Sequence, residues 1–277
     1  MKIATWSVNG VNKRLGHLSH WLEKRQPDIV ALQKIRVSRM KQRSFPRAML
    51  QKAGYRIEAH FADSQWGSVA VLLRQSFLDD GVEPVVRQRG LPGREAEGRL
   101  LTVETSRIKV SSVYVPYAPC GRATKGQVRR SIEVKAKWLG CLSKCVADQQ
   151  DASKANFLCG DFNVVADGAS ERGCLNRSPE EREALGSLCA LGFVDLYRDF
   201  HGPGLAGFNS GTPITTEPNT RLHLILGSGS VDSLVTSAFV DLEYRGSIED
   251  LPGEIWAPGA PVIIEIDDSS PRVQGAR

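Results

Sequence analysis

Short apolar runs that alternate with amphipathic stretches limit the folds open to this chain more than any other feature. Runs of four to eight residues are typical of strands, and longer amphipathic stretches are typical of helices. Several predicted strands follow one another without a helix between them, which favours two β-sheets packed face to face with helices outside. The predicted strands are Ile3–Trp6, Ile29–Leu32, Ser68–Leu73, Leu100–Glu104, Ile108–Tyr114, Ala155–Cys159, Leu222–Leu226 and Val262–Ile266. The predicted helices are Leu15–Arg25, Pro46–Ala53, Lys125–Asp148 and Pro179–Leu191.

The bulk composition is that of a globular protein. The chain has 277 residues, of which 41% are hydrophobic and 24% charged, which is ordinary for a soluble domain. No apolar run approaches the roughly 20 residues that span a membrane, and the first ten residues lack the apolar stretch of a signal peptide. We therefore expect a cytoplasmic protein with no membrane partner, built as a single domain over residues 1–266 with a flexible tail at 267–277.

Positive charge is concentrated at the amino-terminal end. Residues 1–60 carry 13 Lys or Arg against 3 Asp or Glu, whereas residues 61–277 carry 23 against 28. Eight basic residues and no acid occur between Lys34 and Arg56. Such a field is used most often to bind a polyanion, and the alternative is a solvated face that keeps the protein soluble.

Seven short motifs occur in a fixed order along nearly the whole chain. Each is weak alone, but their order together is specific. They are Trp6-Ser7-Val8-Asn9-Gly10, Pro27 to Gln33 (PDIVALQ), Trp66 to Ala70 (WGSVA), Tyr114-Val115-Pro116, Gly160-Asp161-Phe162-Asn163, Pro179 to Glu183 (PEERE) with Gly192 to Asp195 (GFVD), and Arg221 to Leu226 (RLHLIL).

With these motifs the chain resembles the exonuclease III type of apurinic/apyrimidinic endonuclease, within the endonuclease/exonuclease/phosphatase superfamily. The resemblance implies an α/β fold, a four-layered sandwich of two mixed β-sheets with helices on both outer faces. It also implies hydrolysis of a phosphodiester with a divalent cation, usually Mg²⁺, held by one or two carboxylates. In such enzymes a Glu directly after the "LQ" strand holds the metal, and a terminal Ser-Asp-His closes the site.

Part of the family's site survives in this sequence and part does not. The matching positions are Asn9, Tyr114, Asp161, Asn163 and Arg221. The departures are Ser7 for an Asn, Lys34 for the metal-holding Glu, His223 for an Asp, and Ala257 to Val262 (APGAPV) for the closing Ser-Asp-His segment.

Lys34 is the departure with the largest physical consequence. An ammonium about 4 Å from a divalent ion is repelled by several kcal/mol at an effective dielectric of about 20. We therefore expect an empty metal site and an ion pair between Lys34 and Asp161. Loss of the Asp–His pair removes an acid–base element worth a factor of about 10²–10⁴. These changes predict no hydrolysis by the family's route and no cofactor, with Mg²⁺ or Mn²⁺ used if any activity survives.

The candidate catalytic residues also have structural interpretations. Asp161 and Asn163 are either remnants that contact phosphate or side chains that satisfy a loop backbone. Tyr114 is either part of the site or part of the core, and Asn9 is either a contact or a turn residue. His223 is either packed and hydrogen-bonded or a substitute base or metal ligand.

The basic residues near this site favour contact with a nucleic acid backbone. The candidate phosphate-binding residues are Asn9, Lys34, Arg36, Arg39, Lys41, Arg43, Arg122, Lys125 and Arg221. Few aromatic residues accompany them (Tyr117), so stacking on single strands is not indicated.

Three functions follow as hypotheses. The first is an inactive pseudo-nuclease that binds DNA or RNA, or serves a regulatory protein partner. The second is a working Mg²⁺-dependent endonuclease or exonuclease of DNA repair with a rebuilt site. The third is a protein-interaction module that reuses the cleft.

Overall fold

The computed structural model describes residues 1–79, 82–117, 123–149, 151, 153–165, 178–202, 221–228, 231–244 and 259–269. Within these residues the strands form two six-stranded sheets. Most of the expected tail, residues 270–277, lies outside the described part, as do Arg122 and the segment 257–258. Every helix among the described residues is too short or too polar to span a lipid bilayer.

The first sheet contains the amino-terminal strands and the last one. Its strand order is β11-β12-β1-β2-β4-β3. Strands β1 and β2 are parallel, with Ser7 opposite Gln33, and the other pairs are antiparallel. The strands are β1 (Lys2–Ser7), β2 (Ile29–Gln33), β3 (Tyr55–His60), β4 (Val69–Arg74), β11 (Val235–Val240) and β12 (Val262–Ile266).

The second sheet is built from the middle of the chain. Its strand order is β5-β6-β7-β8-β10-β9. Strands β7 and β8 are parallel, with Tyr114 opposite Asp161, and β10 runs antiparallel to β8, with His223 opposite the same Asp161. The strands are β5 (Val85–Arg89), β6 (Leu100–Glu104), β7 (Ile108–Tyr114), β8 (Ala155–Asp161), β9 (Phe193–Asp195) and β10 (His223–Ser228).

Helices cover the outer face of each sheet. Three apolar clusters define the layers: one lies between the sheets, one joins the first sheet to α1 and α2, and one joins the second sheet to α3 and α4. The helices are α1 (Leu15–Arg25), α2 (Arg47–Lys52), α3 (Lys125–Ala147), α4 (Pro179–Cys189) and α5 (Leu196–His201). This arrangement confirms the predicted four-layered α/β sandwich.

The predicted elements and the observed ones differ at the borders of the sheets. All eight predicted strands and all four predicted helices are present, with bounds that agree within about two residues. Strands β3, β5, β9 and β11 were not predicted, and neither was the short helix α5. Each of these four strands lies at an edge of its sheet.

Candidate functional site

The carboxyl ends of the parallel strands in both sheets meet at one end of the sandwich. Ser7 ends β1, Lys34 follows β2, Tyr114 ends β7 and Asp161 ends β8. His223, the first residue of the antiparallel β10, reaches the same place. A cleft of about 350 Å³ opens there, lined by Ser7, Asn9, Lys34, Arg36, Trp66, Tyr114, Tyr117, His223 and Gly259.

A buried polar network holds the two sheets together just below this cleft. The Gln33 side-chain amide donates to Ser112 Oγ at 3.1 Å, and Ser112 Oγ donates to the Leu32 carbonyl at 3.0 Å. Thr5 Oγ1 donates to Gln33 Oε1 at 3.1 Å. Because each polar atom has a partner, the network fixes the spacing of the sheets without leaving an unpaired buried group.

Asp161 is the central group behind the cleft. Its carboxylate is completely buried. Lys34 Nζ lies 2.7 Å from Asp161 Oδ2, Ser7 Oγ donates to the same oxygen at 3.0 Å, and His223 Nε2 lies 3.6 Å from it. The ion pair expected from the sequence is therefore present, and two of the family departures contact the same carboxylate oxygen as Lys34.

The charges of this pair reinforce each other. Burial disfavours the Asp161 carboxylate, but Lys34 and His223 outweigh that effect and hold the pKa of Asp161 well below its usual range. Burial likewise disfavours the Lys34 ammonium, but the charge of Asp161, its hydrogen bond to Lys34 and the neighbouring Tyr114 together outweigh burial and raise the pKa of Lys34. Both groups are consequently ionised at neutral pH, as expected for a close pair of opposite charges.

Left-handed backbone conformations cluster around the cleft. Non-glycine residues rarely adopt positive φ, and such strain is most common at functional sites. The loops that follow β1 and β2 are held together by hydrogen bonds from Gly10 N–H to the Lys34 carbonyl at 2.8 Å and from Val11 N–H to the Ile35 carbonyl at 3.1 Å. The residues concerned are Asn9, Lys34, Arg36 and Asn163, with φ between 50° and 54°.

Tyr114 belongs both to the core and to the cleft. Its ring packs in the cluster between the sheets and is 7% exposed. Two cations contact the ring: Lys34 Nζ lies 5.2 Å and the Arg99 guanidinium carbon 4.5 Å from its centroid. These distances suit cation–π attraction, so Tyr114 helps to hold Lys34 in place.

Asn163 has a structural role within its loop. Its side-chain amide donates to the Val115 carbonyl at 2.8 Å, and its backbone N–H donates to Asp161 Oδ1 at 3.2 Å. Its carbonyl accepts from Lys135 Nζ at 2.7 Å, and Lys135 is itself paired with Glu181 at 2.5 Å with both side chains fully buried.

The Lys135–Glu181 pair was not predicted from the sequence. A signal for it exists, because Lys135 occupies the apolar face of α3 at helical spacing from Trp138, Leu139 and Leu142. A lysine on such a face requires a buried acid, and Glu181 of the neighbouring α4 supplies it.

The remaining candidates are divided between the cleft and other surfaces. Arg36 lines the cleft, while Arg39, Lys41 and Arg43 are exposed on the adjacent 3-10 helix Arg39–Ser44. Arg221 lies outside the cleft lining, buried and paired with Asp195 at 2.6 Å, so its charge is used inside the fold. Lys125 lines a separate groove of about 770 Å³ along α3.

The described part of the cleft offers no free carboxylate to a divalent cation. A site for such an ion needs carboxylates free to coordinate, yet the cleft lining contains none and Asp161 behind it is engaged by Lys34. No group of three or more His, Cys, Asp or Glu side chains suited to a metal occurs in the described ranges.

Sequence comparison finds exodeoxyribonucleases among the relatives of this chain. The chain is 28% identical over 217 residues to an exodeoxyribonuclease of Bacillus subtilis. This match covers 75% of this chain and 78% of the relative. The chain is 26% identical to exodeoxyribonuclease III of Haemophilus influenzae over 72% of this chain and 75% of that protein.

Solved structures agree over almost the full length. A 3′ phosphatase from Neisseria, bound to a product DNA hairpin, superposes with a TM-score of 0.80 at 25% identity, covering 96% of this chain and 99% of the other. An AP endonuclease from Archaeoglobus fulgidus superposes with the same TM-score at 23% identity, over 96% and 99% of the two chains, and shows the shared fold. The family model for Endonuclease/Exonuclease/phosphatase proteins matches residues 4–247. The chain therefore belongs to the endonuclease/exonuclease/phosphatase family.

Proposed function

We propose that this protein is a pseudo-nuclease, which binds nucleic acid through the cleft and does not hydrolyse phosphodiesters by the metal-dependent route of its family. The observation that carries the proposal is the 2.7 Å ion pair between Lys34 and Asp161. By the sequence resemblance, Lys34 occupies the position of the metal-holding Glu, and the ion pair supports a fixed ammonium in place of that carboxylate.

Lys34 would strongly repel a divalent cation bound beside Asp161. A unit charge about 4 Å from a dication costs about 8 kcal/mol at an effective dielectric of about 20. Lys34 would have to leave Asp161 to admit the metal, which would break the existing 2.7 Å ion pair and leave the ammonium without its carboxylate. His223 adds a third polar group to the same oxygen and provides no carboxylate in exchange.

The surface around the cleft supports binding to a polyanion. Arg36 lines the opening, and Arg39, Lys41 and Arg43 stand exposed next to it. The Neisseria relative was solved with a DNA hairpin, and the Bacillus subtilis relative is an exodeoxyribonuclease. Retention of the DNA-binding rim with loss of the metal ligands gives a protein that holds nucleic acid and leaves it intact.

A salt series tests the binding half of the proposal. We expect fluorescence anisotropy with a labelled duplex to give an affinity that falls steeply with salt. The variant Lys41→Ser/Arg43→Ser should lower the slope of log K against log salt by about 2, because each phosphate contact contributes about 0.9. The matched control Lys24→Ser/Lys52→Ser removes two exposed cations outside the cleft lining and should leave the slope unchanged. Absence of binding to both duplex and single-stranded DNA at low salt would contradict the proposal and favour a protein partner.

The alternative is an active metal-dependent nuclease with a rebuilt site. It is favoured by the position of His223, whose Nε2 lies 3.6 Å from Asp161 and could serve as a ligand or base. Incubation with abasic-site duplex and 3′-recessed duplex in Mg²⁺ and in Mn²⁺ separates the two functions. Cleavage that disappears in both Asp161→Ala and His223→Ala would establish the alternative and overturn the proposal.

A further inference from the structure

Two large apolar side chains are exposed on the rim of the cleft, which is defined here as the cleft-lining Trp66 together with the adjoining 3-10 helix Arg39–Ser44. Met40 is 91% exposed in the 3-10 helix Arg39–Ser44, and Trp66 is 56% exposed in the loop before β4. A single exposed apolar residue is ordinary. Here two of them occur beside a row of cations and next to the cleft, which requires a separate explanation.

The segments that carry these residues are joined into one surface. The Arg39 N–H donates to the Ala62 carbonyl at 2.8 Å, and Arg39 Nε lies 3.2 Å from Asp63 Oδ1. Ser68 Oγ donates to the Val37 carbonyl at 2.7 Å. Phe45 and Phe61 pack edge to face, with ring centroids 5.6 Å apart. Met40 and Trp66 are consequently fixed on neighbouring, mutually bonded segments.

The Trp66 ring is exposed enough to stack with a further planar group. The Arg36 guanidinium carbon lies 4.7 Å from the centroid of the Trp66 ring system. One guanidinium covers one face of an indole, and more than half of the side chain is still exposed. Trp66 also lines the cleft together with Tyr117, which is 47% exposed. The opening therefore combines the aromatic rings of Trp66 and Tyr117 with the cations Lys34 and Arg36.

We infer that this rim recognises unpaired bases, so that the nucleic acid bound by the proposed function is single-stranded in preference to intact duplex. Bases stack on exposed aromatic side chains without regard to sequence, and the exposed Met40 on the adjoining segment offers an apolar contact to an unpaired base. In an intact duplex both faces of each base are already stacked, which leaves Trp66 without a partner. The sequence alone did not indicate stacking, because Trp66 is far from the basic block along the chain.

Anisotropy with a labelled 12-nucleotide DNA strand and with its duplex tests this inference, which rests on the proposed function. We expect tighter binding of the single strand. Trp66→Ala should weaken single-strand binding by about tenfold, Met40→Ala should weaken it by a smaller factor, and each should change duplex binding less than about twofold. Trp66→Phe should restore most of the affinity, because an aromatic face remains.

The control is Leu242→Ala, which removes a side chain that is 57% exposed beside Glu243 and outside the cleft lining. It should leave binding to both DNAs unchanged. Trp66 is also the one exposed tryptophan in the described residues, so quenching of its fluorescence by the single strand gives a second readout.

Two outcomes overturn the inference in distinguishable ways. If single strand and duplex bind equally, or Trp66→Ala weakens both by the same factor, the surface is a backbone binder only and the proposed function stands. If the unmodified protein binds neither DNA at low salt, both the inference and the proposed function fail.

Discussion

Replacing Lys34 with Met removes the cation beside Asp161 while keeping a side chain of similar length. The buried carboxylate then keeps only polar contacts, among them Ser7 Oγ at 3.0 Å and the Asn163 N–H at 3.2 Å. Removing one partner of a buried ion pair typically costs about 3–5 kcal/mol. Lys34 is 26% exposed and Asp161 retains hydrogen-bond donors, so we expect the free energy of unfolding to fall by about 3 kcal/mol, the lower end of that range.

A double-mutant cycle isolates the ion pair from the packing. Asp161→Asn leaves Lys34 able to reach water and should cost about 1–2 kcal/mol. The double variant Lys34→Met/Asp161→Asn leaves no buried charge at this position, and it should be more stable than the sum of the single changes predicts. We expect a coupling energy of about 2 kcal/mol, measured by urea unfolding followed by tryptophan fluorescence at pH 7.

A surface ion pair provides the control for this cycle. Arg129 Nε lies 3.2 Å from Glu133 Oε1 on α3, but the side chains are 86% and 53% exposed. Arg129→Met should therefore change the free energy of unfolding by less than about 0.5 kcal/mol. A coupling energy near zero between Lys34 and Asp161 would mean that the ammonium does not compensate the buried carboxylate.

Three further changes test the surroundings of the site. The pKa of Asp161 is lower in the folded state than in the unfolded state. The ionised carboxylate therefore contributes fully to stability above its unfolded pKa of about 3.9, and this contribution is lost as the pH falls below that value. The urea midpoints of the unmodified protein and of Asp161→Asn should converge in acid, and a widening gap would contradict this prediction. Lys135→Met leaves the completely buried Glu181 without its cation. It should lower the free energy of unfolding by about 3–5 kcal/mol in the same assay. A loss below about 1 kcal/mol would contradict the pairing. Gly160→Ala would place a Cβ 2.0 Å from the Val113 carbonyl oxygen. Calorimetry should therefore show a lowered Tm, which corresponds to a loss of about 2 kcal/mol or more in the free energy of unfolding. An unchanged Tm would show that β7 and β8 can separate freely.

Burial on both faces explains which strands the sequence predicts. Central strands such as β2 and β12 are buried along almost their whole length and appear as continuous apolar runs. The four unpredicted strands all lie at sheet edges. In β5 the residues alternate between exposed and half-buried, so the segment lacks the apolar run that marks a strand. Edge strands carry such polar patterns in many proteins because an apolar edge invites aggregation.

The candidate site is predictable to the extent that its residues end neighbouring strands. Lys34 and Asp161 follow two apolar runs, and the resemblance brought those runs together, so their ion pair could be foreseen. The partner of Arg221 could not, since Asp195 belongs to an unpredicted edge strand. The contact between Arg36 and Trp66 depends on how two loops pack. Pairs of this kind are fixed by tertiary structure, and local patterns carry little information about them.

Titration with Mn²⁺, followed by the electron paramagnetic resonance signal of the free ion, tests most directly whether Lys34 has replaced the metal. We expect the unmodified protein and Asp161→Asn to leave the same concentration of free Mn²⁺ in the millimolar range. The variant Lys34→Glu/His223→Asp should bind one Mn²⁺ and lose it again when Asp161→Asn is added. If the unmodified protein binds Mn²⁺ and Asp161→Asn abolishes that binding, Lys34 has not replaced the metal.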